Sequence, residues 1–427
     1  MKFIYADSLD FVDPDFDFET DRMSIGRAVH ADDEFPHEFL RRAPYDGILV
    51  SRGIVGDWEL RGKYTESQWM RFRRDGARSF LRYSEARFPG SLVFGDCGAF
   101  QYRAHDEPPY TAADTAEFYA DAGFTHGCSV DHLIFDFDDE PARAAKEVPA
   151  DIKKRYEITL SLAADFYRES KKVGKHFTPL GVVQGWSATS MANAALKLSK
   201  MGYTYLAVGG MVPLDESQIH RALGAIRAAV PSKVKLHLLG FGKIERLGDF
   251  ERYGVASFDT TSPLLRAFKD ATRNYFAPGR NGGLEYYTAI RVPQATRNTK
   301  LKHRARQGRL DQEHALALEK AALDSLRLYD KRRAKLEPTL NNVISYWDAL
   351  NWTEQVSNAK RARARERQRE IYGRTLADRP WEACTCRTCR EGRIDSVIFR
   401  SSNRNKRRGI HNLHVFYKHL IKHRTAA

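Results

Sequence analysis

Three cysteines within six positions, Cys384, Cys386 and Cys389, form a C-x-C-x-x-C segment, and four histidines follow it: His411, His414, His419 and His423. Thiolates at this spacing let one loop wrap a single soft metal ion, and a later histidine clips a distant segment onto it. The pattern therefore predicts a tetrahedral Cys3His zinc site with one of the four histidines as the last ligand. Four protein ligands leave no open coordination position, so such a zinc is structural. A second set of reactive groups is spread along the first 260 residues: Asp96, Asp131, Gln184, Gly209 with Gly210, Gly240 with Gly242, and Asp259 each stand where a short apolar run ends. One aspartate after a strand is most often a helix cap or a turn residue. Three of them plus a glutamine at successive strand ends point instead to a polar site, in which carboxylates can attack an electrophile or move a proton.

The apolar runs that would position these groups are KFIYAD (2–7), GILVSR (47–52), SLVFGD (91–96), GCSVD (127–131), PLGVVQG (179–185), YLAVGG (205–210), KLHLLGFG (235–242) and VASFD (255–259). Amphipathic stretches with helical spacing lie between several of them, at 112–123, 190–202 and 217–230. Strand alternating with helix implies a parallel sheet, and eight such units predict an α/β fold, a closed (β/α)8 TIM-type barrel whose active face is built from the C-terminal strand ends. After residue 265 the strand rhythm stops. Residues 271–310 are polar and basic with Gly, Pro and Asn breaks, 311–336 reads as a charged amphipathic helix, and a further helix is expected over 353–372. The expected organisation is a barrel over 1–265, a basic, mainly helical insertion over 266–380, and a zinc-binding subdomain with a C-terminal helix over 381–427.

Apolar residues make up 42% of the 427, enough for a sizeable core. No apolar run approaches the roughly 18 residues that a membrane-crossing helix needs, and the N-terminal residues do not read as a signal peptide. Clustered cysteines used for metal rather than disulfides imply a reducing, cytoplasmic setting. The net charge of +14 is unevenly spread: residues 1–265 carry 33 Lys and Arg against 39 Asp and Glu, and residues 266–427 carry 36 against 16. So lopsided an excess predicts a polyanion-binding surface, nucleic acid above all. The dense basic run Lys360 to Arg369 is either a solvated helix face or a phosphate contact. The aromatics Tyr286, Tyr287, Trp347 and Trp352 could stack on bases, but core packing is the first expectation for them.

Taken together, FGDCGAFQY (94–102), GVVQG (181–185), AVGGMV (207–212), LLGFGKIERL (238–247), YGVASFDTTSP (253–263), CTCRTC (384–389) and GIHNL (409–413) resemble, in order and approximate spacing, the motifs of the tRNA-guanine transglycosylase family. The resemblance implies that Asp259 is the nucleophile and Asp96 the general acid/base. It implies that Asp131, Gln184 and the Gly209–Gly210 backbone read the purine, and that Cys384, Cys386, Cys389 and His411 hold Zn2+. Asp136 and Asp138 follow Asp131 closely and compete for its role.

The sequence also departs from the tRNA enzymes. Cys97 and Ala99 stand where they typically have serine and glycine, the nucleophile is followed by TTSP, and the stretch from Asp259 to Cys384 is several dozen residues longer and carries most of the basic excess. This combination is most similar to the DpdA branch, for which the family reading implies insertion of a 7-deazaguanine base such as preQ0 into DNA, with an ATPase as a possible partner protein. The expectation is thus a pentosyltransferase that exchanges guanine in DNA through a covalent aspartyl-nucleotide. The alternatives are the same reaction on tRNA and a non-catalytic nucleic-acid-binding subunit of the same fold. An unrelated phosphate-binding barrel enzyme would leave the cysteine cluster unexplained.

Overall fold

A computed structural model describes residues 1–139, 148–279, 282–351 and 357–426; Trp352 and the start of the helix expected at 353 lie outside them. The eight apolar runs all form strands: β1 (Lys2–Ala6), β2 (Gly47–Ser51), β3 (Leu92–Asp96), β4 (His126–Cys128), β5 (Thr178–Val183), β6 (Tyr205–Val208), β7 (Lys235–Leu238) and β8 (Val255–Thr260). Each pairs in parallel with the next and β8 closes onto β1, giving the (β/α)8 barrel. Strands rich in Val, Leu, Ile and Phe suit this topology because both of their faces are covered. Alternate residues point inward, and Ile4, Leu49, Phe94, Cys128, Leu180, Val182, Tyr205 and Ala207 fill the interior.

The helix Ala188–Met201 shows how the outer layer is specified. Ser187 caps it through the Ser190 amide, Gly202 ends it at φ 110°, and Met191, Ala194, Ala195 and Leu198 form its buried stripe at i, i+3, i+4 and i+7. Truncating the fully buried Leu198 to alanine is expected to cost about 2–5 kcal/mol.

The chain divides into two compact units, 1–9 with 45–262 and 10–44 with 263–427. Two boundaries thus differ from those read in the sequence. Residues 10–44 leave the barrel between β1 and β2 and belong to the C-terminal unit, and the segments 266–380 and 381–427 form one unit rather than two. The reason is a shared core: Tyr275, Leu326, Val343, Ile344, Tyr372 and Leu376 pack with Trp381, Cys386, Cys389 and Ile398. The acid-rich segment 10–44 is bound into the same unit by arginines. Asp21 pairs with Arg400 and Arg404, Glu34 with Arg387, and Arg407 donates to the carbonyls of Asp13 and Pro14.

Counted by unit, the barrel has 29 Lys and Arg against 29 Asp and Glu, and the second unit 40 against 26. The whole net charge resides in the second unit. There the helix expected over 311–336 is Gln312–Asp330. A separate helix, Leu336–Asn351, follows it, and the basic run lies on Asn358–Asp378. Short strands also occur where none was expected. Tyr275–Pro278 and Leu284–Tyr287 form a hairpin, aromatic runs flanking glycines, and Ile290–Arg291 pairs with Ile398–Phe399. Tyr287 is in the core and Trp347 packs against it, as expected of aromatics. Among the described residues no helix is long and apolar enough to cross a membrane.

Candidate active site and metal cluster

The C-terminal strand ends gather the first set of candidate residues. Asp96 is the last residue of β3, Asp131 follows β4, Gln184 follows β5, Gly209 and Gly210 follow β6, and Asp259 lies near the end of β8. Asp131 and Gln184 are buried, whereas Asp136 is exposed and Asp138 half-buried, so the strand-end group contains Asp131 and not its neighbours.

The β3–β5 side is tied together by hydrogen bonds. Gln184 Nε2 donates to Asp131 Oδ2 at 2.7 Å, and the Ile134 amide donates to Gln184 Oε1 at 3.3 Å. Those two bonds determine which way the amide faces. Gly209 is required beside it, because a Cβ there would fall on the Gln184 amide nitrogen. Gly210 takes φ +69°, and its Cβ would come within 2.9 Å of the Ile134 carbonyl. Cys97 Sγ donates to Asp131 Oδ1 at 3.0 Å, and the Tyr102 hydroxyl donates to the Asp131 carbonyl at 2.9 Å. Burial, then the charges of Asp131 and Asp96, push the Cys97 thiol well up, so it is a proton donor and not a thiolate.

Asp96 accepts from the Gly98 amide at 3.0 Å. Burial is the largest influence on its carboxyl and the Asp131 charge the next. Together they outweigh the Ser51 and Gly98 hydrogen bonds, with Asp259 adding to the rise, and hold the carboxyl at about 7. Asp131 is raised by burial too, against the lowering effect of its Cys97 and Gln184 donors. Asp259 Oδ1 accepts from the Gly240 amide at 3.0 Å and lies 3.2 Å from His237 Nε2. Among the described residues no lysine or arginine pairs with any of the three carboxylates. Such a cluster can hold one carboxyl protonated near neutral pH beside another that is ionised, the arrangement that acid and nucleophile need.

Three further residues near these strand ends were not marked in the sequence. His237 is fully buried in β7, and only the position of a polar ring in an otherwise apolar strand could have marked it. Phe100 and Phe135 are exposed on the loops after β3 and β4, with ring centroids 6.4 Å apart edge to face. Exposed aromatics on the loops after two of the site's strands offer faces for stacking, and the Arg103 guanidinium lies 4.5 Å over the Phe100 ring.

In the second unit, the donor atoms of Cys384, Cys386, Cys389 and His411 lie within 4.8 Å of one another. His411 Nε2 donates to the Phe276 carbonyl at 2.7 Å, which leaves Nδ1 unprotonated, 3.4 Å from Cys386 Sγ and 3.2 Å from Cys389 Sγ. A histidine whose far nitrogen is held by a carbonyl is oriented as a metal ligand. Tyr275 stacks on the ring at 4.1 Å, and its hydroxyl lies 3.1 Å from Cys389 Sγ. The cluster fits a metal ion such as zinc. His414, His419 and His423 are not part of it. A second group, Glu216, His220 and Asp249, is explained by Arg246, which pairs with both carboxylates.

A parallel barrel with carboxylates at its C-terminal face, and in the second unit a Cys3His cluster that fits a metal ion, is the architecture of a barrel enzyme. The chain is 41% identical over 421 residues to the DNA-guanine transglycosylase of Salmonella montevideo, covering 98% of this chain and 96% of that protein. It is 29% identical over 117 residues to the queuine tRNA-ribosyltransferase of Haemophilus influenzae (strain 86-028NP), covering 27% of this chain and 31% of that one. With the queuine tRNA-ribosyltransferase of Vibrio vulnificus (strain YJ016) the identity is 30% over 154 residues, 35% and 37% of the two chains. No protein-family model matches the chain. The chain belongs to the tRNA-guanine transglycosylase superfamily and is a pentosyltransferase.

Proposed function

We propose that this enzyme replaces guanine in DNA with a 7-deazaguanine base such as preQ0 by two displacements at C1′. The carboxylate cluster at the strand ends is the observation that carries the reading. Asp259 attacks C1′ and forms a C–O ester bond as the C1′–N9 bond breaks; the bonding electron pair leaves with guanine, and Asp96 supplies the proton that neutralises it. Asp96 then takes the N9 proton of the incoming base, whose nitrogen attacks C1′ while Asp259 departs as carboxylate. Two inversions retain configuration, as in retaining glycosidases. A carboxyl held near 7 suits both of the proton transfers assigned to Asp96.

Asp131 and Gln184 face the purine edge, the Gly209–Gly210 backbone lets the base come close, and Phe100 or Phe135 stacks on it. In duplex DNA the target nucleotide has to leave the stack, at a cost of a few kcal/mol. Contacts between the basic unit and phosphates offset that cost. Cys384, Cys386, Cys389 and His411 hold a structural zinc, which supplies folding energy to the second unit and takes no part in the displacements. Elemental analysis tests this directly: one zinc per chain is expected, and its absence, or its persistence in Cys389→Ser, rejects the assignment.

DNA is favoured over tRNA because similarity to a protein named for DNA runs the length of the chain, while similarity to proteins named for tRNA covers about a third of it. The partial match keeps tRNA as a second reading. The deciding experiment is denaturing gel analysis of purified protein incubated with guanine-containing duplex DNA and, in parallel, with tRNA. An adduct on DNA that disappears in Asp259→Ala is expected. An adduct on tRNA alone replaces the polymer assignment, and none on either rejects the covalent route.

A further inference from the structure

From β6 across β7 to β8, the barrel interior contains a chain of polar side chains that ends on the candidate nucleophile and that the displacement scheme does not use. The Tyr205 hydroxyl lies 2.6 Å from Ser257 Oγ, Ser257 Oγ lies 2.5 Å from His237 Nδ1, and His237 Nε2 lies 3.2 Å from Asp259 Oδ1. All four residues are buried. Their positions follow from strand periodicity: Ser257 and Asp259 alternate with Phe258 on β8, and His237 pairs with Ser257 across the β7–β8 ladder.

The proton positions in this chain can be deduced. A carboxylate oxygen only accepts, so His237 Nε2 carries hydrogen. In the neutral ring Nδ1 is then an acceptor, so Ser257 donates to it and accepts in turn from Tyr205. An imidazolium would bring Nδ1–H to Ser257 Oγ, and the hydroxyl proton of either Ser257 or Tyr205 would then need an acceptor that no hydrogen bond among the described residues supplies. Burial raises the Tyr205 phenol to about 12, which keeps it a donor. The neutral Nε2–H tautomer is the one in which every proton has a place. At the far end, Asp259 Oδ1 receives both the His237 N–H and the Gly240 amide, while Oδ2 has no hydrogen-bond partner among the described residues.

We propose that His237 is a positioning residue whose tautomer, selected by Ser257 and Tyr205, holds Asp259 Oδ1 so that Oδ2 faces the sugar and attacks. The role rests on Asp259 being the nucleophile. It has a consequence for the second displacement in particular. When Asp259 is an ester, Oδ1 is its carbonyl oxygen; as the incoming nitrogen forms its bond to C1′ and the C1′–Oδ2 bond breaks, negative charge returns to the carboxyl. Two N–H donors already aimed at Oδ1 stabilise that charge without reorganisation. Losing one slows departure of the carboxylate more than it slows attack, so the intermediate accumulates.

The experiment uses the full-length protein, a guanine-containing duplex and labelled guanine, which follows exchange without knowledge of the natural incoming base. For His237→Leu the expected result is turnover reduced about 10²-fold, a KM for the duplex that falls rather than rises, and a larger steady-state fraction of adduct than in wild type. His237→Gln, whose amide N–H reaches the same oxygen, restores most of the rate. Ser257→Ala, which frees the tautomer, gives a loss of about tenfold, and Tyr205→Phe a smaller one in the same direction. The role is overturned if His237→Gln is no better than His237→Leu, if adduct and turnover fall together, or if the Ser257 and Tyr205 variants match wild type. An adduct that persists in Asp259→Ala, or no adduct in wild type, overturns the nucleophile assignment itself and the role of His237 with it.

Discussion

Three buried carboxylates of the C-terminal unit and three at the barrel mouth are held in opposite ways. In the C-terminal unit Asp21 is gripped by Arg400 and Arg404, Asp330 by Arg379, Arg393 and the Trp381 indole, and Glu319 by Arg400. At the barrel mouth Asp96, Asp131 and Asp259 have only neutral donors: amides, a thiol, a glutamine, a serine and a histidine. A carboxylate removed from water is either paired with a cation or pushed toward its neutral form. Pairing is the stable solution and makes the group inert. Lack of a cationic partner is unfavourable for folding but leaves proton affinity and a free lone pair available for reaction. The contrast separates Asp21, Asp330 and Glu319, which hold the second unit together, from the three carboxylates proposed for chemistry. Neutral donors alone are not sufficient to mark a reactive group, because among the described residues the buried Asp13 accepts only from the Asp15 and Ser24 amides and the Ser24 hydroxyl.

The largest expected effect follows from that contrast. Asp259→Asn should reduce base exchange by at least about 10⁴-fold while leaving the denaturation midpoint unchanged or higher, since it removes a buried charge that has no cationic partner. Asp330→Asn should do the reverse. Exchange per folded molecule is retained, but stability in urea falls by about 1–3 kcal/mol, because the Trp381 indole and the Arg379 and Arg393 guanidinium groups lose a charged acceptor while Arg379 keeps Glu382. Loss of stability in the first variant and none in the second would break the distinction.

A smaller effect sharpens it further. The folded-state pKa of Asp96 lies near 7, above the 3.8 of an unfolded chain. The folded state therefore binds this proton more tightly, and stability is lost as pH rises between the two values and stays lost above 7. Asp96→Asn carries no such penalty. Relative to wild type it should gain about 2–4 kcal/mol between pH 4 and pH 8, measured as paired urea titrations, while its exchange activity is lost throughout. Wild-type exchange limited by the first proton transfer should decline above pH 7. A constant stability difference across the range would show that Asp96 is ordinary in its proton affinity.

How much of this was legible beforehand differs between the units for a physical reason. Barrel strands are local in sequence and buried on both faces, so GILV, SLVF and YLAV announce themselves, and the polar residue that ends each run marks the mouth. The cysteine spacing was equally plain. What the sequence could not reveal is long-range. That Asp21 would serve arginines some 380 positions away decides where residues 10–44 belong, and no periodicity encodes it. The same holds for His237: a histidine in an apolar strand is usually a satisfied core residue, and its contact with Asp259 exists only once β7 and β8 are in register. The charge count misled in part, because Arg404, Arg407 and Arg408 add to the basic excess yet are buried.

That last point yields the subtlest prediction. The cations of the C-terminal unit fall into two kinds, those consumed by its own acids and backbone and those facing water. Arg363, Arg365 and Arg367 on the helix Asn358–Asp378 are exposed, with no acidic partner among the described residues; Arg361 and Arg369 on the same helix are paired with Asp348 and Glu337. If the exposed set contacts phosphates, Arg365→Gln should weaken duplex binding severalfold at low salt, equally for all sequences. It should also lower the slope of log affinity against log salt by about 1, with no change in stability. Arg404→Gln, which takes from Asp21 and Asp395 one of the two arginines that each pairs with, should lower stability and leave the slope of the remaining folded protein as it was. A salt slope that ignores Arg365, read by fluorescence anisotropy over a range of ionic strength, would return the basic run on this helix to a solvated surface and leave DNA contact to other cations of the same unit.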